Sequence, residues 1–101
     1  MSDLTAVSLV TIVAETALKP RLAKDLKNLG VSGYTVSAAN GEGSRNRRVG
    51  DVDGGNVMIQ CLTSRDLSLA IMNHLEAEYF ENYAVVAWVS SAEVIRKERY
   101  S

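Results

Sequence analysis

Alternating hydrophobic and polar positions occur in four short segments of the chain, a pattern that predicts four β-strands. In the first of these segments, Val7, Leu9 and Val13 fall on one face, while Val10 and Ile12 fall on the other. Both faces are largely apolar, which is typical of a central strand covered on both sides. The predicted strands cover residues 5–14, 33–38, 56–62 and 83–89.

A helical period separates the first two predicted strands. Leu18, Leu22, Leu26 and Leu29 recur at spacings of four, four and three, so they form one apolar stripe of an α-helix. The sequence predicts Thr16 as the N-cap and Gly30 as the residue that ends the helix. Four charged residues are expected to face solvent from this helix: Lys19, Lys24, Asp25 and Lys27.

A second helix is predicted after the third strand, capped by Thr63 or Ser64. Its predicted buried stripe consists of Leu67, Ala70, Ile71, His74 and Leu75. After the fourth strand, the Ser-x-x-Glu spacing of residues 90–93 has the form of a capping box, which predicts a short terminal helix.

The order of these elements is β-α-β-β-α-β, the ferredoxin-like arrangement of the α+β class. Right-handed crossovers would place the first and third strands at the centre of a four-stranded antiparallel sheet, with both helices on one face. The second face of the sheet would remain apolar and uncovered. Association of several copies through that face is the simplest way to bury it.

Composition limits the class of protein. The chain has 101 residues, enough for the single domain predicted over residues 1–101, and its 47% hydrophobic content argues against disorder. A formal net charge of −1 does not favour nucleic acid as a partner, and no apolar run approaches membrane-spanning length. One cysteine and one histidine do not predict a disulfide or a metal site, so a cytoplasmic protein is expected.

The connection between the second and third strands, residues 39–55, is far longer than a hairpin needs. It carries five of the seven glycines and the string Gly41-Glu42-Gly43-Ser44-Arg45-Asn46-Arg47-Arg48. Glycines let the backbone approach an anion closely, and arginines bind phosphate oxygens in a bidentate manner. The pattern predicts a phosphate-binding loop, although a solvated hairpin loop accounts equally well for the composition alone.

This string and the order of the elements resemble the PII-like signalling proteins of the SbtB type. The segments Gly33-Tyr34-Thr35-Val36 and Tyr79-Phe80-Glu81-Asn82-Tyr83-Ala84 carry the same resemblance. It implies a homotrimer in which residues 39–55 form the T-loop. It also implies that adenine nucleotides (cyclic AMP, AMP, ADP and ATP) bind as effectors in clefts between subunits, with no cofactor.

The resemblance also implies roles for particular residues. The phosphate would be bound by Gly41, Gly43, Ser44, Arg45 and Arg48. Adenine and ribose would be enclosed by Tyr34, Thr35 and Val36 and by Tyr83, Ala84, Val85 and Val86 of a neighbouring subunit. Val85 stands where relatives are expected to carry glycine. The resemblance assigns no role to Arg47, Asp51 or Asp53.

The implied biological role is regulation of a sodium-dependent bicarbonate transporter through the T-loop, in the carbon-concentrating mechanism of cyanobacteria. The protein would then be cytoplasmic and peripherally associated with the membrane through the transporter. It would not be an enzyme, because a single mid-helix histidine cannot supply a Ser-His-Asp or Cys-His set. Two alternatives are an acylphosphatase-like enzyme, which residues 11–16 do not favour because they lack glycine and arginine, and a metal-tolerance trimer.

Overall fold

The chain folds into a β-α-β-β-α-β unit, as the hydrophobic pattern predicts. The structure is a computed structural model, and it describes residues 3–40 and 55–95. The elements in chain order are β1 (Thr5–Glu15), α1 (Lys19–Leu29), β2 (Thr35–Ala39), β3 (Asn56–Thr63), α2 (Arg65–Glu78) and β4 (Val85–Val94). The predicted ferredoxin-like fold class is therefore confirmed.

The four strands form one antiparallel sheet in the order β2-β3-β1-β4. β1 is central and pairs along its length with both neighbours, so that Val10 lies opposite Cys61 of β3 and Val89 of β4. β2 and β4 are the two edge strands. The expectation that the first and third strands occupy the centre is confirmed.

The hydrophobic core lies between the sheet and the two helices. Alternate residues of β1, among them Val10, Ile12 and Ala14, face the helices and are almost fully buried. The helices contribute Leu22, Leu26, Ile71 and Leu75 to the same core. Neither helix in the described part of the chain is long and apolar enough to cross a bilayer.

The first helix begins later than its sequence predicts. A single 3₁₀ turn, Thr16–Leu18, follows β1, and the N-cap position of α1 is Leu18 rather than Thr16. Pro20 lies in the first turn, where its missing N–H is not needed. At the other end, Gly30 adopts φ 109°, the left-handed conformation that closes a helix, as predicted.

The second helix is capped by Ser64, whose hydroxyl accepts a hydrogen bond from the backbone N–H of Leu67 at 3.2 Å. Its buried stripe differs from the prediction at two positions. Ala70 is exposed, and Ser68 is fully buried. The Ser68 hydroxyl can be buried because it donates a 2.7 Å hydrogen bond to the Arg65 carbonyl in the preceding turn.

The predicted terminal helix is wrong. Residues 90–93 continue β4, which pairs with β1 from Val85 as far as Val94. Without this pairing the first residues of β1, from Thr5 to Ser8, would lack a backbone partner on that side. A capping-box spacing is a local preference worth about 1 kcal/mol, and the hydrogen bonds of a sheet edge outweigh it.

No helix or strand within residues 3–40 and 55–95 covers the face of the sheet that points away from the helices, which we call the open face. Val86 and Trp88 are 48% and 44% exposed on this face. Because strand side chains alternate, Leu9, Met58 and Leu62 share it with them. The open face therefore presents an apolar surface that the described residues of the chain do not cover.

Candidate functional site

The residues predicted to bind phosphate, Gly41, Gly43, Ser44, Arg45 and Arg48, lie outside the described residues, as do Arg47, Asp51 and Asp53. The structure does describe where their loop leaves the sheet and returns to it. Ala39 and Asn56 form the last pair of β2 and β3. At the returning end, the Gly55 carbonyl accepts a 3.2 Å hydrogen bond from the backbone N–H of Thr16. The loop is thus anchored beside the end of β1.

Tyr34 and Thr35 line a cavity of about 500 Å³ at the start of β2. Tyr34 is 43% exposed and immediately precedes the strand, while Thr35 pairs with Gln60 of β3. Val36 does not line this cavity, because the next side chain along a strand points to the opposite face, where it packs against the core. Two of the three predicted residues of this segment therefore meet at one cavity.

The opposite wall of this cavity consists of residues that sequence reasoning missed. Leu9 of β1 and Gln60 and Leu62 of β3 line it from the open face, and Ser32 and Gly33 complete it. The Gln60 amide donates a 3.2 Å hydrogen bond to the Thr11 hydroxyl. The arrangement gives apolar surface for a flat ring together with hydroxyl and amide groups. A polar Gln60 in the middle of an apolar strand was the available signal.

Cys61 also borders the cavity, but its thiol is buried. Burial raises the pKa of Cys61 to about 11, so the thiol stays protonated and unreactive at neutral pH. Within residues 3–40 and 55–95, no group of three or more His, Cys, Asp or Glu side chains could hold a metal ion.

The second predicted segment, residues 83–86, lies where the chain enters β4. Val85 is 7% exposed and belongs to the core, whereas Val86 is exposed on the open face. Both border a smaller cavity of about 240 Å³ with Phe80 and Ala87. The Tyr83 hydroxyl accepts a 3.0 Å hydrogen bond from the Arg21 guanidinium of α1.

The two predicted segments lie at opposite edges of the sheet. Thr35 is on β2 and Val85 is on β4, with β3 and β1 between them. Three strand spacings of about 4.8 Å separate these edges by roughly 14 Å. One chain therefore cannot close both segments around the same small ring, and a ligand held by both would need a second chain.

The chain matches the family model described as nitrogen regulatory protein P-II over residues 7–99. It is 41% identical to a protein from Thermus thermophilus described as PII-like and signalling, over 98% of this chain and 99% of that one, with a TM-score of 0.84. CPII from Thiomonas intermedia in its complex with ADP and bicarbonate is 23% identical over the full length of both chains, with a TM-score of 0.85.

The apo form of CPII is 24% identical, with 95% of this chain and 99% of that one covered and a TM-score of 0.78. At this level of identity, the likeness to CPII concerns the fold alone. The family model covers nearly the whole chain, including both sheet edges and the long connection between β2 and β3. The chain belongs to the nitrogen regulatory protein P-II family, as a PII-like signalling protein.

Proposed function

We propose that this protein senses adenine nucleotides in clefts between the subunits of a homotrimer. The observation that carries the proposal is the placement of the two predicted adenine and ribose segments at opposite edges of one sheet. Each edge supplies half of a cleft, and a neighbouring subunit supplies the other half. CPII, which shares the fold, is bound to ADP and bicarbonate in one structure and to ADP, AMP and acetate in another.

The open face of the sheet supports the homotrimer. It exposes Trp88 and Val86 on β4, next to the apolar side chains of β1. An apolar surface of this kind on a small domain is expected to lie against another copy of the chain. Contact through this face would bring the β4 edge of one subunit toward the β2 edge of the next.

The loop between β2 and β3 supplies the phosphate site in this proposal. It leaves the sheet at Ala39 and returns at Gly55, which is fixed beside the end of β1. Arg45 and Arg48 would bind phosphate oxygens, and Gly41 and Gly43 would allow close backbone approach. Guanidinium groups and backbone N–H groups can bind ligands with one phosphate group or several. The candidate effectors are therefore cyclic AMP, AMP, ADP and ATP.

The string Gly-x-Gly-Ser-Arg-Asn-x-Arg favours the SbtB branch, and with it a sodium-dependent bicarbonate transporter as the partner. In this role the T-loop contacts the transporter, and the bound nucleotide changes the T-loop. The protein would then work at the cytoplasmic side of the membrane without catalysing a reaction.

Isothermal titration calorimetry of the purified protein with each of the four nucleotides tests the proposal. We expect wild-type binding, and a loss of affinity of about 10-fold or more in Arg45→Ala and Arg48→Ala, since a charge-assisted hydrogen bond contributes about 1.5–3 kcal/mol. Arg47→Ala is the matched control, because it removes the same charge from the same loop. A wild-type protein that binds none of the nucleotides would refute nucleotide sensing, whereas equal losses in all three variants would refute the specific phosphate contacts.

A pull-down with the detergent-solubilised bicarbonate transporter tests the partner separately. We expect retention of the wild-type protein that changes when a nucleotide is added. A variant in which residues 41–53 are replaced by a short Gly-Ser turn should not be retained, because the proposed contact lies in this loop. Retention of the shortened variant would place the transporter contact elsewhere on the molecule.

A further inference from the structure

A cluster of polar and aromatic side chains joins the two helices to the chain entering β4. It consists of Arg21 and Asp25 on α1, His74 on α2, and Tyr79 and Tyr83 in the connection that follows α2. We refer to these five residues as the α1–α2 cluster. None of its members belongs to the residues predicted to bind phosphate, yet Tyr83 opens the segment 83–86.

Tyr79 is the buried centre of the α1–α2 cluster. Its side chain is fully buried, and its hydroxyl donates a 2.5 Å hydrogen bond to the Asp25 carboxylate. His74 Nε2 lies 2.9 Å from the same carboxylate oxygen. A carboxylate with two partners at these distances fixes the Tyr79 ring between α1 and α2.

The backbone of Tyr79 organises the turn that leads into β4. Its carbonyl accepts hydrogen bonds from the N–H groups of Asn82 at 3.2 Å and Tyr83 at 2.9 Å. The Tyr83 carbonyl in turn accepts the N–H of Val85 at 3.1 Å. The path of the chain into segment 83–86 thus depends on where Tyr79 and Tyr83 are held.

Arg21 holds the two rings together from outside. Its guanidinium carbon lies 4.5 Å from the centre of the Tyr79 ring and 5.3 Å from that of Tyr83, and the two rings are 5.7 Å apart. The guanidinium also donates the 3.0 Å hydrogen bond to the Tyr83 hydroxyl. A planar cation that stacks on one ring and hydrogen-bonds the next restricts both.

We propose that Arg21, through Tyr83 and Tyr79, is a positioning residue that fixes segment 83–86 in its nucleotide-binding conformation. The inference rests on the proposed function, since it assigns the control of one half of the same cleft. Arg21 lies on α1, and within the described part of the chain it is connected to segment 83–86 through Tyr83 and Tyr79. It therefore acts on affinity by raising the fraction of molecules whose cleft is already formed.

The test compares Arg21→Ala with Lys24→Ala, an exposed cation one turn further along the same helix. Two measurements are made on the full chain: the dissociation constants for ADP and AMP by calorimetry, and amide hydrogen exchange by NMR without nucleotide. We expect Arg21→Ala to weaken nucleotide binding by about two- to fourfold and Lys24→Ala to leave it unchanged. The Asn82, Tyr83 and Val85 amides should exchange about fivefold faster in Arg21→Ala alone.

Exchange separates positioning from other roles. Weaker binding with unchanged exchange of these three amides would overturn the proposal in favour of a direct nucleotide contact by Arg21. Faster exchange throughout β1 and β3 would also overturn it, because the substitution would then loosen the whole fold. Unchanged binding in Arg21→Ala, with a wild type that binds, would overturn the positioning role alone.

Tyr83→Phe supplies a second variant, since it keeps the ring and removes only the hydroxyl that accepts from Arg21. We expect a smaller loss of affinity than in Arg21→Ala, and no further loss when the two substitutions are combined. Fully additive losses in the double variant would contradict a shared pathway through Tyr83. A wild-type protein that binds neither nucleotide would overturn the proposed function and the positioning role together.

Discussion

Replacing Asp25 by asparagine probes the contact on which the α1–α2 cluster depends. The carboxylate accepts hydrogen bonds from Tyr79 and His74, and its side chain is only 20% exposed. Asparagine keeps the shape and one acceptor oxygen but removes the charge. Hydrogen bonds to a charged group contribute about 1.5–3 kcal/mol, so we expect Asp25→Asn to lower the free energy of unfolding by about 1–3 kcal/mol at neutral pH.

The effect should depend on pH with a definite sign. Burial by itself would raise the pKa of Asp25, but the hydrogen bonds from Tyr79 and His74 outweigh it and hold the pKa below its usual value of 3.8. A carboxyl group with a lowered pKa in the folded state stabilises the protein above its unfolded pKa. That contribution disappears as the pH falls through the folded pKa. The difference in unfolding free energy between the wild type and Asp25→Asn should therefore be largest at neutral pH and should shrink below about pH 4.

Urea unfolding followed by circular dichroism measures the unfolding free energy of each variant. The protein concentration is kept the same throughout, because association of the chains would change the unfolding midpoint. Glu76→Gln, an exposed acid on α2, serves as the control and should change stability by less than about 0.5 kcal/mol. A difference in unfolding free energy between the wild type and Asp25→Asn that stays constant from neutral pH to about pH 3 would refute the role of the charged carboxylate.

Three further predictions concern other parts of the fold. In light-scattering measurements, Trp88→Glu should convert a trimer of the 11.0 kDa chain into single chains, while Trp88→Phe should preserve the trimer. A trimer that survives Trp88→Glu would contradict assembly through the open face. The Cys61 thiol should react with Ellman's reagent only in denaturant, because burial raises its pKa to about 11, and rapid labelling of the native protein would show that it is accessible. Gly30→Ala should lower the unfolding free energy by about 1–2 kcal/mol because the φ of Gly30 is 109°. Gly33→Ala, whose added Cβ would meet nothing within 4 Å, should be tolerated. Equal losses in both variants would contradict the role of the left-handed backbone at Gly30.

The sequence predicts the elements of this fold well where burial and periodicity agree. The leucine stripe of α1 and the alternating residues of β1 have the spacing of the surface they bury, so local pattern and tertiary packing point to the same structure. Prediction from the sequence pattern fails at residues 90–93, where a helix-capping spacing competes with strand pairing to the opposite end of the chain. Such pairing depends on residues far apart in sequence, and no local window contains it.

The candidate site is only half accessible to the same reasoning. Tyr34 and Thr35 are predicted site residues, and both border a cavity. Leu9 and Gln60 complete that cavity, but they come from two other strands and meet only because β1 and β3 are adjacent in the sheet. Asp25 is expected from the sequence to face solvent, yet its side chain is only 20% exposed, because it contacts Tyr79, a residue 54 positions away.

The pairing of β1 with β4 also bears on how the molecule is made. Thr5 lies opposite Val94, so the central strand obtains its second neighbour only when nearly the whole described chain is available. Pairings between such distant segments slow folding, because a long loop must close before they form. During synthesis, the edge of β1 that contains Val10 and Ile12 lacks its β4 partner until β4 leaves the ribosome. Such an unpaired strand edge is a site at which a partly folded chain can pair with another copy and aggregate.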